Sequence, residues 1–381
     1  MTRNGRHHTL SWVLVTFLAC SSALAVAAPG SATAATKATG CGDAWTLAPT
    51  VFTHGWGGID ATAASSASDA WVISAGFSSV GFNVPIPEHW DGSTWTVTSD
   101  GGGLYALYGI VALDPTDAWA VGWASTGYLY RDTVLITHWD GTSWTDVRSP
   151  GKLGAAPWLA GIDAVSADDI WAVGGSRGRS LIEHWDGSSW SVVPSPNAGS
   201  ESVLDAVSFD APDDGWAVGR GWRQRPSGRT FTRPLLVHWD GTMWTRMTRP
   251  RGVEMLSSVA ALAPNDVWAV GSAGSNATAV HWDGDVWATV PTPSAGSSSA
   301  FASVAATGTA DVWAVGSQRS GPGAALRTLV ERWDGSMWRS DPSPNVGPKD
   351  NALYAVSAVQ GLILAGGSAE GKPLALQRCP A

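Results

Sequence analysis

The sequence predicts an all-β fold, and three observations lead to this prediction. A turn phrase of the form His-Trp-Asp-Gly occurs six times, starting at His89, His138, His184, His238, His281 and, with Arg in place of His, Arg332. A second phrase, Asp-x-Trp, precedes each copy, at Asp69, Asp117, Asp169, Asp214, Asp266 and Asp311. The period is roughly 43–54 residues. Two Trp-bearing strands and a turn in each period are typical of a β-propeller.

Each period divides into four antiparallel strands, which are clearest in the fourth repeat. Residues 204–209 alternate as a half-buried strand does and are predicted to be innermost. Residues 215–219 form a short apolar second strand that ends in Gly, and residues 234–239 form the third. Asp240-Gly241 then begins a hairpin turn into the fourth strand, at 243–247.

The two ends of the chain supply a seventh blade in two parts. Residues 353–359, 362–366 and 373–378 read as first, second and third strands, and residues 42–47 read as the missing fourth. We therefore predict a seven-bladed ring whose last blade combines one N-terminal strand with three C-terminal strands. Superposing the repeats places Cys379 at the position of Trp90 and Cys41 at that of Asp91. A disulfide between them is expected in an exported protein.

The N-terminus has the order of a secretory signal. Arg3 and Arg6 precede an apolar run over residues 10–28, and small residues follow. We predict a signal peptide and linker at 1–35, one propeller domain at 36–381, and a secreted, extracellular protein. The apolar run is interrupted at Cys20, so no membrane span is expected. A lipid anchor through Cys20 is the alternative.

The charge balance restricts the partners. The formal net charge is −9, and it becomes −11 once Arg3 and Arg6 leave with the signal peptide. An acidic surface argues against nucleic acid and against an anionic membrane surface. We expect a monomer without a cofactor.

The Gly-ended second strand and the Trp of the fourth strand resemble secreted bacterial propeller repeats of the kelch-like type, in the superfamily of the galactose-oxidase central domain. The Asp-Gly-Ser/Thr-x-Trp turn is similar to the Asp-box hairpin of sialidase-like propellers. The resemblance covers about residues 41–379. It implies the fold but not the activity, because propellers host many functions. Copper oxidases of this group need a Cys linked to a Tyr. Both cysteines after the signal peptide lie at the ring closure, so we do not transfer that activity.

The repeated turns raise the question of a metal site. Equivalent positions on neighbouring blades are about 10 Å apart, far more than the ~2 Å reach of a metal ligand. Arg332 in the sixth copy is not a metal ligand either. We therefore predict no metal, and we expect the Asp of each turn to bind backbone N–H groups. The Asp of each Asp-x-Trp phrase is expected to fix the first turn in the same way.

Nineteen of the 24 Trp occupy repeat positions and are predicted to be framework. The remaining Trp outside the signal peptide lie on connections that open opposite the Asp-Gly turns: Trp56, Trp123, Trp158 and Trp222. The longest connection, residues 220–233, holds five Arg and no acid, among them Arg223 and Arg225; Arg131 lies in another. These residues predict a binding face for a glycan or a protein surface, with rings for stacking and guanidinium groups for carboxylate or sulfate. Alternatively, the connection is a solvated insertion with the extra Trp packed beneath it.

Two other functions remain open. A lyase acting on a uronate polymer would use His54 as the base, since it is the only His outside both the signal peptide and the repeat turns, and Tyr130 or Tyr105 as the acid. A purely structural role at the cell surface is the third possibility. A glycosidase is disfavoured because most Asp belong to the turns on the opposite face.

Overall fold

The computed structural model describes residues 41–50, 57–77, 83–99, 105–125, 132–150, 156–224, 230–293 and 296–380. These residues form 28 strands and no helix, arranged as seven four-stranded antiparallel sheets. The all-β class and the seven-bladed propeller are therefore confirmed. Because the described residues contain no helix, none is long and apolar enough to cross a membrane.

The strands are, in chain order, β1 (Thr46–Leu47), β2 (Ile59–Ser66), β3 (Asp69–Phe77), β4 (Asn83–Trp90), β5 (Trp95–Val97), β6 (Tyr105–Asp114), β7 (Asp117–Ser125), β8 (Asp132–Trp139), β9 (Trp144–Asp146), β10 (Trp158–Ser166), β11 (Asp169–Ser176), β12 (Arg179–Trp185), β13 (Trp190–Val193), β14 (Glu201–Ala211), β15 (Asp214–Gln224), β16 (Thr230–Trp239), β17 (Trp244–Arg246), β18 (Met255–Ala263), β19 (Asp266–Ala273), β20 (Asn276–Trp282), β21 (Trp287–Val290), β22 (Ser298–Gly308), β23 (Asp311–Arg319), β24 (Arg327–Trp333), β25 (Trp338–Ser340), β26 (Asn351–Val359), β27 (Leu362–Ala369) and β28 (Lys372–Arg378). Blade 1 is β2–β5, and each later group of four strands through β25 forms the next blade up to blade 6. Blade 7 has the order β1-β28-β27-β26. The first strand of every blade lines the central channel, as predicted.

The repeated Trp residues hold neighbouring blades together. Trp171 of blade 3 contacts both Trp239 and Trp244 of blade 4, with ring centroids 4.9 and 5.7 Å apart. The described residues form seven apolar clusters, one between each pair of adjacent blades around the ring. Burying one such ring contributes at most about 5 kcal/mol. The period of the sequence is therefore the period of the interblade contact.

The two ends of the chain meet in blade 7. Strands β1 and β28 pair antiparallel, with Thr46 opposite Gln377. The Trp45 ring meets Trp313 of blade 6 edge-to-face at 5.7 Å, as the fourth-strand Trp190 meets Trp119 at 5.9 Å. Cys41 and Cys379 form a disulfide with a Cα–Cα distance of 5.4 Å. The predicted closure is confirmed.

The predicted alignment of blade 7 was wrong by one residue. The Arg378 guanidinium lies 5.0 Å from the Trp313 ring centroid, where a third-strand Trp lies in the other blades. Arg378, and not Cys379, therefore occupies the position of Trp90. The error comes from two consecutive glycines in β27, because Gly367, and not Gly366, pairs with Leu353 as Gly122 pairs with Leu107.

The corrected alignment gives the disulfide a defined place. Cys379 follows Arg378 as the turn Asp follows the third-strand Trp in the other blades. In blades 1–6 the third and fourth strands are joined by an Asp-Gly turn, whereas in blade 7 they come from opposite ends of the chain. The disulfide stands where that turn would be.

Candidate functional site

The ring has two faces of different character. The turn face carries the Asp-Gly turns, and the loop face carries the connections between second and third strands and between blades. On the turn face, Asp240 accepts hydrogen bonds from the backbone N–H groups of Thr242 and Met243 at 2.9 Å each. All six turn Asp make the same pair of bonds. Their predicted structural role is confirmed.

The Asp of the Asp-x-Trp phrases mainly has a different role from the predicted one, although in blades 1 and 6 it also accepts a hydrogen bond across the first turn, from the hydroxyls of Ser65 and Thr307. Asp214 does not fix the first turn; its Oδ1 lies 2.7 Å from Nε2 of His238 on the adjacent strand. In blades 1–5 this His–Asp distance is 2.5–2.8 Å, and in blade 6 Arg332 Nε donates to Asp311 at 2.6 Å. Each His ring also contacts the second-strand Trp of its own blade. Within the described ranges, no three His, Cys, Asp or Glu side chains are grouped as metal ligands.

The loop face is organised around a repeated β-bulge. In the described part of the chain, each of the seven inner strands has a register shift at the equivalent point, in the first half of the strand. A bulge leaves one residue unpaired and redirects its side chain. The bulged residues all line the channel, and they are Asp60, Tyr108, Ala160, Asp205, Ser257, Ala302 and Tyr354. We call this set the bulge ring.

A second position supports the bulge ring. In three blades, the residue after the Gly that pairs with the inner strand at the bulge forms a hydrogen bond or an ion pair with the bulged residue of its own blade. Trp123 Nε1–H donates to Tyr108 Oη at 2.9 Å, and Arg220 Nη1 lies 3.4 Å from Asp205 Oδ2. In blade 7 the hydroxyls of Tyr354 and Ser368 are 2.7 Å apart. The repeats thus diverge in chemistry at two positions that meet at the channel mouth.

The channel mouth widens into a pocket between blades 2 and 4. The pocket has a volume of about 510 Å³, and its aromatic walls are Tyr108, Trp123 and Trp158. The rings of Tyr108 and Trp158 meet edge-to-face at 6.1 Å. Asp205 and Arg220 supply the charged wall. We call this the mouth pocket.

The carboxyl groups of Asp205 and Asp60 at the mouth differ in whether a cation lies beside them. Burial raises the pKa of Asp205 to about 6, although the nearby Arg220 charge opposes that shift. Burial alone raises the pKa of Asp60 to about 6. Asp60 is open to water along the channel but enclosed by the inner strands on its other sides. In the described structure, Asp60 has no hydrogen-bond or ion-pair partner.

The structure brings together part of the predicted binding set. Trp123 and Trp158 share the mouth pocket, and the Trp222 ring lies 5.5 Å from the Arg220 guanidinium carbon. Arg223 lies in β15, and nothing further is described of its side chain. Trp56, Arg131 and Arg225 lie outside the described residues, as do His54 and Tyr130 of the lyase hypothesis.

Tyr105, the other candidate acid, does not join the mouth pocket. It lies in a separate cleft between blades 1 and 2, with Trp144 and Leu135 among its neighbours. Asp60, Tyr108, Asp205 and Tyr354 are the mouth residues that the sequence did not single out. The sequence pattern indicated these four residues only weakly, because no residue type recurs at the β-bulge of these strands.

The long Arg-rich connection is largely an extension of the sheet. Strands β15 and β16 continue their pairing beyond Gly219, to Arg223 opposite Phe231 and Gln224 opposite Thr230. The Arg233 guanidinium carbon lies 4.9 Å from the Phe231 ring centroid. Two of the five Arg are therefore already engaged, Arg220 by Asp205 and Trp222 and Arg233 by Phe231.

No family model matches the chain, and no curated protein matches it in sequence. Several solved structures are similar in fold. YCF48 from Cyanidioschyzon merolae is 15% identical with a TM-score of 0.57, covering 88% of this chain and 99% of its own; YCF48 bound to D1 peptide is 16% identical with a TM-score of 0.55, covering 88% and 96%.

A third similar structure is the GH74 enzyme of Niastella koreensis, 12% identical with a TM-score of 0.58. The match covers 86% of this chain but 53% of the enzyme, so the chain spans about half of that protein's length. At these identities the likeness shows the fold alone.

Proposed function

We propose that the protein is a non-catalytic binding module that takes a glycan at the mouth pocket. The observation that carries this proposal is the convergence of Tyr108, Trp123 and Trp158 around a cavity of about 510 Å³, next to the Asp205–Arg220 pair. Flat aromatic rings stack on the apolar faces of sugars, and charged groups nearby fix orientation.

The size of the pocket favours a small ligand or one end of an oligomer. Ligand pockets usually have volumes of roughly 300–1,000 Å³ and few polar groups. A flat protein surface would instead meet the whole loop face. We therefore favour a glycan over a protein partner, and a short peptide is the competing occupant, because one similar structure is YCF48 bound to D1 peptide.

Export is part of the same proposal. We propose that residues 1–35 form the signal peptide and linker, that 36–381 form the propeller domain, and that the protein acts outside the cell. The disulfide at the ring closure supports an oxidising compartment. We also propose that the propeller is of the kelch-like type, and that the alternative to free secretion is a lipid anchor at Cys20.

A glycan array followed by calorimetry with the best oligosaccharides tests the proposal. Trp123→Ala and Trp158→Ala should each lower affinity at least tenfold, while Met243→Ala, an exposed residue of the turn face, should leave affinity unchanged. A panel in which peptides bind and no sugar does, or mutants that bind sugar as the wild type does, would refute the glycan assignment.

A further inference from the structure

The described residues that line the channel mouth carry mainly negative charge, although the sequence drew attention to arginines. Three carboxyl groups line the channel, those of Asp60, Asp163 and Asp205. Arg220 is the cation of the adjoining mouth pocket, and it is paired with Asp205. No Lys or Arg is among the described residues that line the channel. Among the residues that the structure describes, the mouth thus has more carboxyl groups than cations.

The three carboxyl groups are not equally available to a ligand. Asp163 Oδ2 accepts a hydrogen bond from the Phe209 backbone N–H at 2.7 Å, which ties it to the next blade. Asp205 faces Arg220. Asp60 is the described carboxylate that faces the channel without a hydrogen-bond or ion-pair partner.

Two exposed tyrosines flank Asp60 in the bulge ring. Tyr354 occupies the same position on the inner strand of blade 7, and Tyr108 occupies it on blade 2. Tyr354 is 42% and Tyr108 39% exposed, which is high for rings on inner strands. The Tyr354 ring also reaches toward blade 1, because a Cβ on Gly58 would lie 2.9 Å from its Cε2 atom. Apart from Asp205, which faces Arg220, the remaining ring members are small and uncharged: Ala160, Ser257 and Ala302.

A carboxylate whose neighbours in the bulge ring are tyrosines, on blade 7 and on blade 2, suits an ammonium group. The carboxylate supplies charge and hydrogen-bond acceptors, and ring faces attract cations with about 0.5–2 kcal/mol each. The mouth pocket and the channel share Tyr108, Ala160 and Asp205 in their walls, so one ligand can occupy both. Resting on the glycan function above, we propose that the bound glycan carries a free amine and that Asp60 binds its ammonium group.

Calorimetry with matched tetrasaccharides tests this inference. The probes are β-1,4-linked glucosamine, its fully N-acetylated counterpart and a uronate tetramer, with a tri-lysine peptide as the non-sugar amine. The wild type should bind the glucosamine tetramer at least tenfold more tightly than the acetylated one. Asp60→Asn should remove that preference, whereas Asp285→Asn, the same change at an exposed residue of the turn face, should keep it.

The outcomes separate the two proposals. Equal affinity for the free and acetylated sugars, with the Trp158→Ala effect intact, would refute the amine inference and leave the glycan function standing. A preference for uronate, or a glucosamine preference that persists in Asp60→Asn, would also refute it. Tri-lysine binding without sugar binding would overturn both.

A measurement on the wild type alone covers the case in which Asp60→Asn fails to fold. Between 50 and 500 mM salt, affinity for the glucosamine tetramer should fall severalfold, because an ion pair open to solvent is screened. Affinity for the acetylated tetramer should hold. Equal salt dependence of the two sugars would contradict the ammonium contact.

Discussion

The two faces of the ring use the repeat in opposite ways. On the turn face, equivalent positions hold the same chemistry in blade after blade: the Asp-Gly turn, the His–Asp contact and the Trp beneath it. On the loop face, equivalent positions in the bulge ring hold Asp, Tyr, Ala or Ser. The comparison teaches that repetition in this chain identifies framework, and that divergence at a structurally repeated position identifies candidates for binding.

The largest expected effect contrasts two tryptophans. Trp216 is 1% exposed and packs against Trp282 and Trp287 of the next blade. Trp216→Ala should lower the free energy of unfolding by about 3–5 kcal/mol, since it leaves a large cavity. Trp158→Ala, at the mouth pocket, should cost less than about 1 kcal/mol. Urea unfolding measures both, and equal losses would break the contrast between framework and site.

The ring closure is the next largest effect. Cys379→Ser should lower stability by about 2–4 kcal/mol, because the bridge joins residues 338 apart in sequence where the other blades have a turn. Adding reductant to the wild type should lower the melting temperature similarly, and adding it to the mutant should change nothing. A wild-type melting temperature that is insensitive to reductant would show that the sheet pairing of β1 closes the ring unaided.

Much of this framework was predictable from sequence, and the site was less so. The repeated Trp and the Asp-Gly turns were enough to predict the strands, the number of blades and the ring closure, because each of these patterns is visible in a short stretch of sequence. The two glycines of β27 allowed two alignments, which the pairing of Gly367 with Leu353 and the Trp313–Arg378 contact resolve. The bulge that presents Asp60 and Tyr354 depends on how inner strands pack around the channel, and alternation alone does not reveal it.

The smallest predicted effect comes from a buried carboxyl group. Its position differs in residue type between blades, yet it belongs to the framework and not to the candidate binding site. Glu331 precedes Arg332 at a position that holds Glu88 and Glu183 in blades 1 and 3 and Thr or Val in blades 2, 4 and 5. It is fully buried without a hydrogen bond to either oxygen in the described structure. Burial raises its pKa to about 8. The folded state therefore binds a proton more tightly than the unfolded state, and stability falls as pH rises from about 4.5 to about 8.

Glu331→Gln should reduce this pH dependence and raise the melting temperature at pH 8 by a few degrees. Glu183, whose pKa burial raises to about 7, should leave part of the slope in the mutant. Melting curves from pH 5 to pH 9 measure the change, with the exposed Glu254→Gln as the control. If Glu331→Gln lost glycan binding while its melting temperature kept the wild-type pH dependence, a framework residue would be needed for binding, which would contradict the account.

The most direct test of the account is a crystal structure with a bound oligosaccharide chosen from the array. We predict that the sugar lies at the mouth pocket, with a ring against Trp123 or Trp158 and one end toward Asp60. A sugar bound at the Asp-Gly turns, with the mouth pocket empty, would contradict the assignment of function to the loop face.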